Sequence, residues 1–109
     1  MDKEILKGSI DILLLSIIGR QDTYGYDIIQ QLKALSNGEY LMSQGTLYPA
    51  LKRLEKKGLL RSYWVENEET GRRKFYSLTN EGKAELQEKL RSWNQINLLI
   101  QACRKVEFA

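Results

Sequence analysis

The residues of this chain best placed to do chemistry lie between Ser43 and Arg61. Ser43, Gln44, Gly45 and Thr46 are small or hydrogen-bonding, and Lys52, Arg53, Lys56, Lys57 and Arg61 follow them against the single Glu55. A helix that leads with short polar groups and follows with cations is shaped to push its N-terminus into a DNA major groove while the cations meet phosphates. The free N–H groups of such a terminus also suit phosphate. The opposing reading is an ordinary amphipathic helix whose lysines are solvated. Catalysis has little to work with. The chain has no histidine, and its one cysteine, Cys103, can form neither an internal disulfide nor a thiolate zinc site. Ser, Cys, Asp and Glu occur without a paired base at recognisable spacing. An enzyme is not expected, nor a cofactor or a metal.

The elements that must position these groups follow from periodicity. Leu47, Leu51 and Leu54 recur at i, i+4 and i+7 with Ala50 beside them, which predicts a helix with one apolar stripe. Its opposite face carries Gly45, Pro49, Lys52 and Lys56, flanked by Thr46, Tyr48 and Arg53. Ser43 is the N-cap, Leu41 the staple residue before it, and Gly58 the stop. Pro49 then falls in the helix interior at a typical cost of about 3 kcal/mol, so a distorted first turn or a kink at Gly45 is expected. Upstream, a helix from Glu4 to Ile18, ended by Gly19, offers two stripes. Leu6, Ile10, Leu13, Leu14, Ile17 and Ile18 form the wider one; Ile5, Ser9, Ile12 and Ser16 form the other. A second helix, Tyr24 to Leu35, is capped by Thr23 or Asp22, turns Ile28, Leu32 and Leu35 to the core, with Ile29 beside them, and stops at Ser36, Asn37 and Gly38. Two helices joined by a short connection, the second polar and basic, make a helix-turn-helix.

Downstream the period changes. Leu60 to Glu66 and Arg73 to Thr79 flank a loop at 67–71 and predict a two-stranded hairpin, with Arg72, Arg73 and Lys74 at the loop's exit and Leu60 and Leu78 as inward anchors. Thr79 caps a last helix reaching about Val106. Leu86, Leu90, Trp93, Asn97 and Ile100 repeat at 4, 3, 4 and 3, and Ile96, Leu99, Cys103 and Val106 form a second row. That spacing reads as an association seam, or as a helix folded back on its own domain. The spare face of the first helix favours the seam, and a second copy of the chain is the cheapest partner. The expectation is a mostly α fold with a small β-hairpin. Residues 1–79 form a DNA-binding unit whose first 19 residues also serve a homodimer, and residues 80–109 form a C-terminal dimerisation helix.

A length of 109 residues suits one domain. The net charge of +3 is mild, so a nucleic-acid partner rests on where the charge clusters. The apolar run Ile10 to Ile18 is too short to span a bilayer and precedes no cleavage pattern, so no membrane association is expected and a reduced, cytoplasmic setting fits.

Helix, helix, basic helix, hairpin with a cationic corner and terminal helix is the winged helix-turn-helix order, and the sequence resembles the PadR family of bacterial transcriptional regulators. The residues that carry the resemblance are Tyr24, Gly25, Tyr26 and Ile28; Gly45, Thr46, Leu47, Tyr48, Pro49, Leu51, Leu54, Glu55 and Gly58; and Gly71, Arg72, Arg73, Tyr76, Leu78, Thr79 and Gly82. It implies a homodimer on a palindromic duplex, with the helix after Ser43 in the major groove and the wing (Arg72, Arg73, Lys74) at phosphates or the minor groove. It also implies repression released by a ligand. With room for one terminal helix the chain looks like the short subgroup, in which the first and last helices make the dimer and Trp93 sits at its centre near Ile5, Ser9 and Ile12. The residues lead to the same place, because a large aromatic facing a stripe with small Ser9 leaves a flat gap suited to planar apolar molecules, with Asn97 one turn on to orient them. Trp93 as a packed interface residue is the plainer alternative. Phenolic acids, the effectors of longer members, find no support in these residues. A winged-helix module that binds protein instead of DNA is the competing function.

Overall fold

Leu47, Ala50, Leu51 and Leu54 are at most 3% exposed, so the stripe predicted for the organising helix is the floor of the core. A computed structural model describes residues 1–105, and Val106, assigned to the seam, lies outside the described residues. The elements are α1 (Lys3–Arg20), β1 (Thr23–Tyr24), α2 (Gly25–Leu35), α3 (Gln44–Lys56), β2 (Leu60–Asn67), β3 (Gly71–Leu78) and α4 (Asn80–Lys105). Leu14, Leu15, Ile17 and Ile18 of α1 and Ile28 and Leu32 of α2 close over the α3 stripe, with Met42, Leu60, Tyr76 and Leu86 completing the core. The fold is mostly helical with a small antiparallel sheet, as expected.

Both ends of α3 are built as the sequence indicates. Ser43 Oγ accepts the Thr46 N–H at 3.1 Å, and the Ser43 carbonyl accepts from both Thr46 (3.1 Å) and Leu47 (3.0 Å), a tightened first turn. The helix then runs unbroken through Pro49. The carbonyl that Pro49 leaves without a donor belongs to exposed Gly45, where water can serve it. At the other end the Gly58 N–H reaches the Glu55 carbonyl and the Leu59 N–H the Leu54 carbonyl, with Gly58 at φ +80°: a Schellman stop.

Several expectations need correction. Gly19 does not end α1, which Asp2 caps at its start and which continues to Arg20; Gly19 packs its bare Cα face toward Leu78 and Leu86 from inside the helix. Neither Thr23 nor Asp22 caps α2. Tyr24 is the N-cap residue, and the Thr23 hydroxyl donates to Asp27. Thr23 and Tyr24 instead pair with Tyr76 and Phe75, so the hairpin gains a third strand in the order β1-β3-β2. The hairpin turn is also tighter, with β2 reaching Asn67 and β3 starting at Gly71. Leu35 is outside the core, on the rim of an apolar groove with Leu6, Leu13 and Tyr40. Leu41 is exposed and Met42 takes the buried place assigned to it. Leu86 is consumed by the core of its own chain, so the uncovered row of α4 begins at Leu90.

α4 is tied to the wing base at one spot. Thr79 Oγ1 donates to the Gly58 carbonyl (2.6 Å) and accepts the Gly82 N–H (3.0 Å), while the Thr79 N–H donates to the Leu59 carbonyl (3.1 Å). Gly82 comes so close that a β-carbon there would stand 2.1 Å from the Leu59 carbonyl oxygen. Gly82→Ala should therefore destabilise the protein by about 1–3 kcal/mol in urea unfolding at fixed protein concentration. Gly8→Ala, whose added methyl would meet nothing within 4 Å, should be neutral or stabilising by up to about 1 kcal/mol. Equal effects would mean that this contact does not hold α4 in place.

Candidate functional site

With Leu47, Leu51 and Leu54 turned inward, α3 presents Ser43, Gln44, Gly45, Tyr48, Pro49, Lys52, Arg53 and Lys56 to solvent, and Thr46 half so. The expected groove face is therefore one continuous surface. Lys52 and Lys56 make no ion pair among the described residues. Arg53 is drawn sideways instead, its guanidinium on the Asp11 carboxylate of α1.

Tyr48 owes its position to the YGY segment. The phenol end of its ring packs against Gly25, where a β-carbon would stand 2.6 Å from the phenol oxygen. Sequence reasoning placed Tyr48 on the helix face but did not see that contact, because nothing local links positions 25 and 48. Beyond Tyr48 opens a cleft of about 470 Å³ lined by Tyr24, Tyr26, Tyr48, Trp64, Tyr76, Arg72, Arg73 and Lys74. The Tyr76 phenol is pushed above its ordinary pKa, first by burial, then by the charge of Glu55 and by Tyr48. It stays a neutral hydrogen-bond donor.

The three wing cations are each held by a neighbour. The Arg72 guanidinium carbon lies 4.3 Å from the Trp64 ring centroid and that of Arg73 lies 4.4 Å from the Tyr24 centroid. Lys74 Nζ is 3.8 Å from Glu55 Oε1, and Glu55 also accepts from the Ser62 hydroxyl, so α3 is tied to both long strands. The Tyr, Trp and Arg of the wing could suggest single-strand stacking from the sequence, but their pairing with one another is not legible there; alternation along β2, with Trp64 opposite Lys74 in the register, was the available signal. On the other sheet face Tyr63 donates to Asp22 at 2.6 Å, and that hydrogen bond raises the Tyr63 pKa.

A second site lies between α1 and α4. Ser9, Ile12 and Trp93 line one groove of about 460 Å³, whose walls also carry Lys7, Asp11, Glu85, Glu88 and Lys89, so the groove of a single chain is charged as well as apolar. Ile5, Leu90, Asn97 and Ile100 do not line it. Ile5, Leu90 and Ile100 are exposed beside it, as is Trp93 at 53%, while Asn97 is half-buried. Among the described residues no cluster could hold a metal ion, and no helix is long and apolar enough to cross a membrane.

The sequence and the fold resemble those of known proteins. The chain is 34% identical over 97 residues to an uncharacterised protein of Lysinibacillus sphaericus, covering 89% of each. It is 33% identical over 81 residues to the transcriptional regulator YqjI of Escherichia coli K12, matching 74% of this chain but only 37% of that longer protein. Among solved structures, a transcriptional regulator from Clostridium thermocellum superposes with a TM-score of 0.86 at 30% identity, covering 98% of this chain and 99% of that one. A PadR family transcription regulator from Clostridium difficile superposes at 0.74 with 41% identity, covering 86% and 96%. The family model of PadR-like transcriptional regulators matches residues 14–88, which takes in α3, the Tyr48 cleft, the wing and the start of α4. By that match and by the shared fold, the chain belongs to the PadR-like family of transcriptional regulators.

Proposed function

We propose that this protein is a homodimeric, cytoplasmic repressor that reads a palindromic DNA duplex and is released by a small planar ligand between α1 and α4. The observation that carries the DNA reading is the solvent-facing side of α3, with unpaired Lys52 and Lys56 behind the Ser43–Thr46 end and the Tyr48 cleft beside it. Short polar groups at a helix N-terminus reach base edges, while cations one and two turns later meet phosphates. The stacked Arg72 and Arg73 extend that surface, and their aromatic neighbours fix their positions without consuming their charge.

Dimerisation is favoured by what α4 leaves uncovered. Beyond Leu86 the helix carries Leu90, Trp93, Ile96, Leu99 and Ile100 in the open, and α1 adds Ile5. A solvated chain does not retain such a row cheaply, and a two-fold partner presenting the same row covers both at once. α4 (Asn80–Lys105) then serves as the dimerisation helix and residues 1–79 as the DNA-binding unit. A two-fold dimer calls for half-sites about one helical turn apart. Trp93 beside small Ser9 and Ile12 offers a stacking face for a flat ligand at that junction, and the charged walls favour a molecule that is also polar at its edge.

Three outcomes are expected. Lys52→Ala and Lys56→Ala should weaken binding to all duplexes and lower the log–log salt slope by about 0.9 each, whereas Thr46→Ala and Tyr48→Ala should erode preference for a selected palindrome over random DNA. An unchanged slope, or no duplex binding at any salt, would favour a protein-binding module instead. Leu90→Asp should convert a dimer into monomer or unfolded chain in sedimentation, because a charge left unpaired in a seam is costly. A monomeric wild type would remove the dimer. Planar dyes should quench Trp93 in a Trp64→Phe background and weaken operator binding severalfold, a coupling of about 1–3 kcal/mol, and Trp93→Ala should abolish that response. Dyes that quench without changing operator affinity would leave Trp93 a packing residue.

A further inference from the structure

Arg53 belongs to two surfaces at once. It flanks the polar face of α3 next to Lys52, yet its guanidinium rests on Asp11, and both residues line the α1/α4 groove with Trp93. The Arg53 side chain keeps 46% of its exposure and that of Asp11 keeps 23%, so the pair sits at the surface with the carboxylate on the sheltered side. Among the described residues Asp11 makes no other ion pair, Lys7 one turn away on α1 lining the same groove without bonding to it. The remaining groove carboxylates are already matched, Glu85 with Lys89 at 3.7 Å and Glu88 with Arg91. An exposed pair of this kind is worth only about 0–1 kcal/mol, little enough for another anion to displace it. A phosphate is well suited to do so, since the guanidinium fork matches phosphate as closely as carboxylate and stays charged throughout.

We propose that Arg53 is a shared cation: Asp11 holds it in the free protein, an operator phosphate takes it in the complex, and Asp11 is left without its arginine at the edge of the groove. This rests on the DNA-binding reading above. Arg53 is then a positioning device as well as a phosphate contact, because DNA must win it from α1. The electrostatic state of the groove thus changes when α3 engages a duplex, through one side chain and without any shift of the backbone.

The test is a double-mutant cycle on the intact protein, with a palindromic duplex selected by the wild type. Asp11→Asn should tighten binding about two- to fivefold by freeing Arg53, and Arg53→Gln should weaken it and lower the salt slope by about 0.9. In the Arg53→Gln background Asp11→Asn should lose most of its gain. In the charge-keeping Arg53→Lys background most of the affinity and part of the gain should return. A gain of equal size with and without Arg53 would mean that removing any negative charge near DNA suffices, and would overturn the proposal. So would an Asp11→Asn variant that binds no better, or one that unfolds or loses thermal stability together with affinity, since the pair would then be structural. If Lys52→Ala and Lys56→Ala also leave duplex binding untouched, the DNA reading itself has failed. If only the cycle is additive, the reading stands and the sharing does not.

Discussion

The packing of the Gly82 backbone against the Leu59 carbonyl, which leaves no room for a β-carbon, is the constraint on which the remaining geometry depends. Within a few residues of it α3 ends, the wing begins and α4 starts. Thr79 binds these together through its hydroxyl on the Gly58 carbonyl and its N–H on the Leu59 carbonyl. Because the contact is between main chains, no side-chain rotation can relax it. The direction of α4 relative to α3 is set there, and anything that turns one must carry the wing base with it.

Charge is distributed with a comparable economy. The wing cations lie over aromatic rings or against Glu55 and Arg53 lies on Asp11, while Lys52 and Lys56 pair with no carboxylate among the described residues. An arginine stacked on tryptophan or tyrosine keeps its full charge while giving up rotamers, so less ordering remains to be done when a phosphate arrives. An arginine on a carboxylate is different, since its charge is already compensated and must be released. The protein thus carries cations of three kinds: free, preordered and reserved. The mild net charge of +3 reveals none of this.

The sequence showed most clearly what is periodic or punctuated. The apolar stripe of α3, the Ser43 cap, the Gly58 stop and the two long strands could all be read from local pattern, as could the exposure of the α3 polar face. What escaped was decided by partners far away in the chain. Thr23 and Tyr24 look like a helix start, and only the free edge of β3 makes them a strand. Gly19 looks like a helix stop, but Leu78 and Leu86 need its missing side chain. Leu86 keeps perfect step with Leu90 and Trp93, so periodicity alone cannot show that the row divides between the chain's own core and the open face. Arg53 and Asp11 stand 42 residues apart, and spacing carries no sign of their pairing.

The length of α4 makes this division consequential. Its 26 residues span about 39 Å at 1.5 Å per residue, and only Gly82 and Leu86, near the start, are buried. In the proposed dimer the helix is therefore a lever fixed to its own domain at Gly82, with its open row against the partner. A tilt of about 3° between domain and partner moves the far end of such a lever by about 2 Å. The same tilt, read in the other direction, changes how far apart the two α3 helices stand. Half-sites one turn apart tolerate little change in that separation, because each helix must enter its groove in register with the other. In the proposed regulation a ligand beside Trp93, roughly midway along the lever, would need no contact with DNA to act. It has only to favour one tilt over another, and the backbone contact at Gly82 transmits the difference because it cannot absorb it.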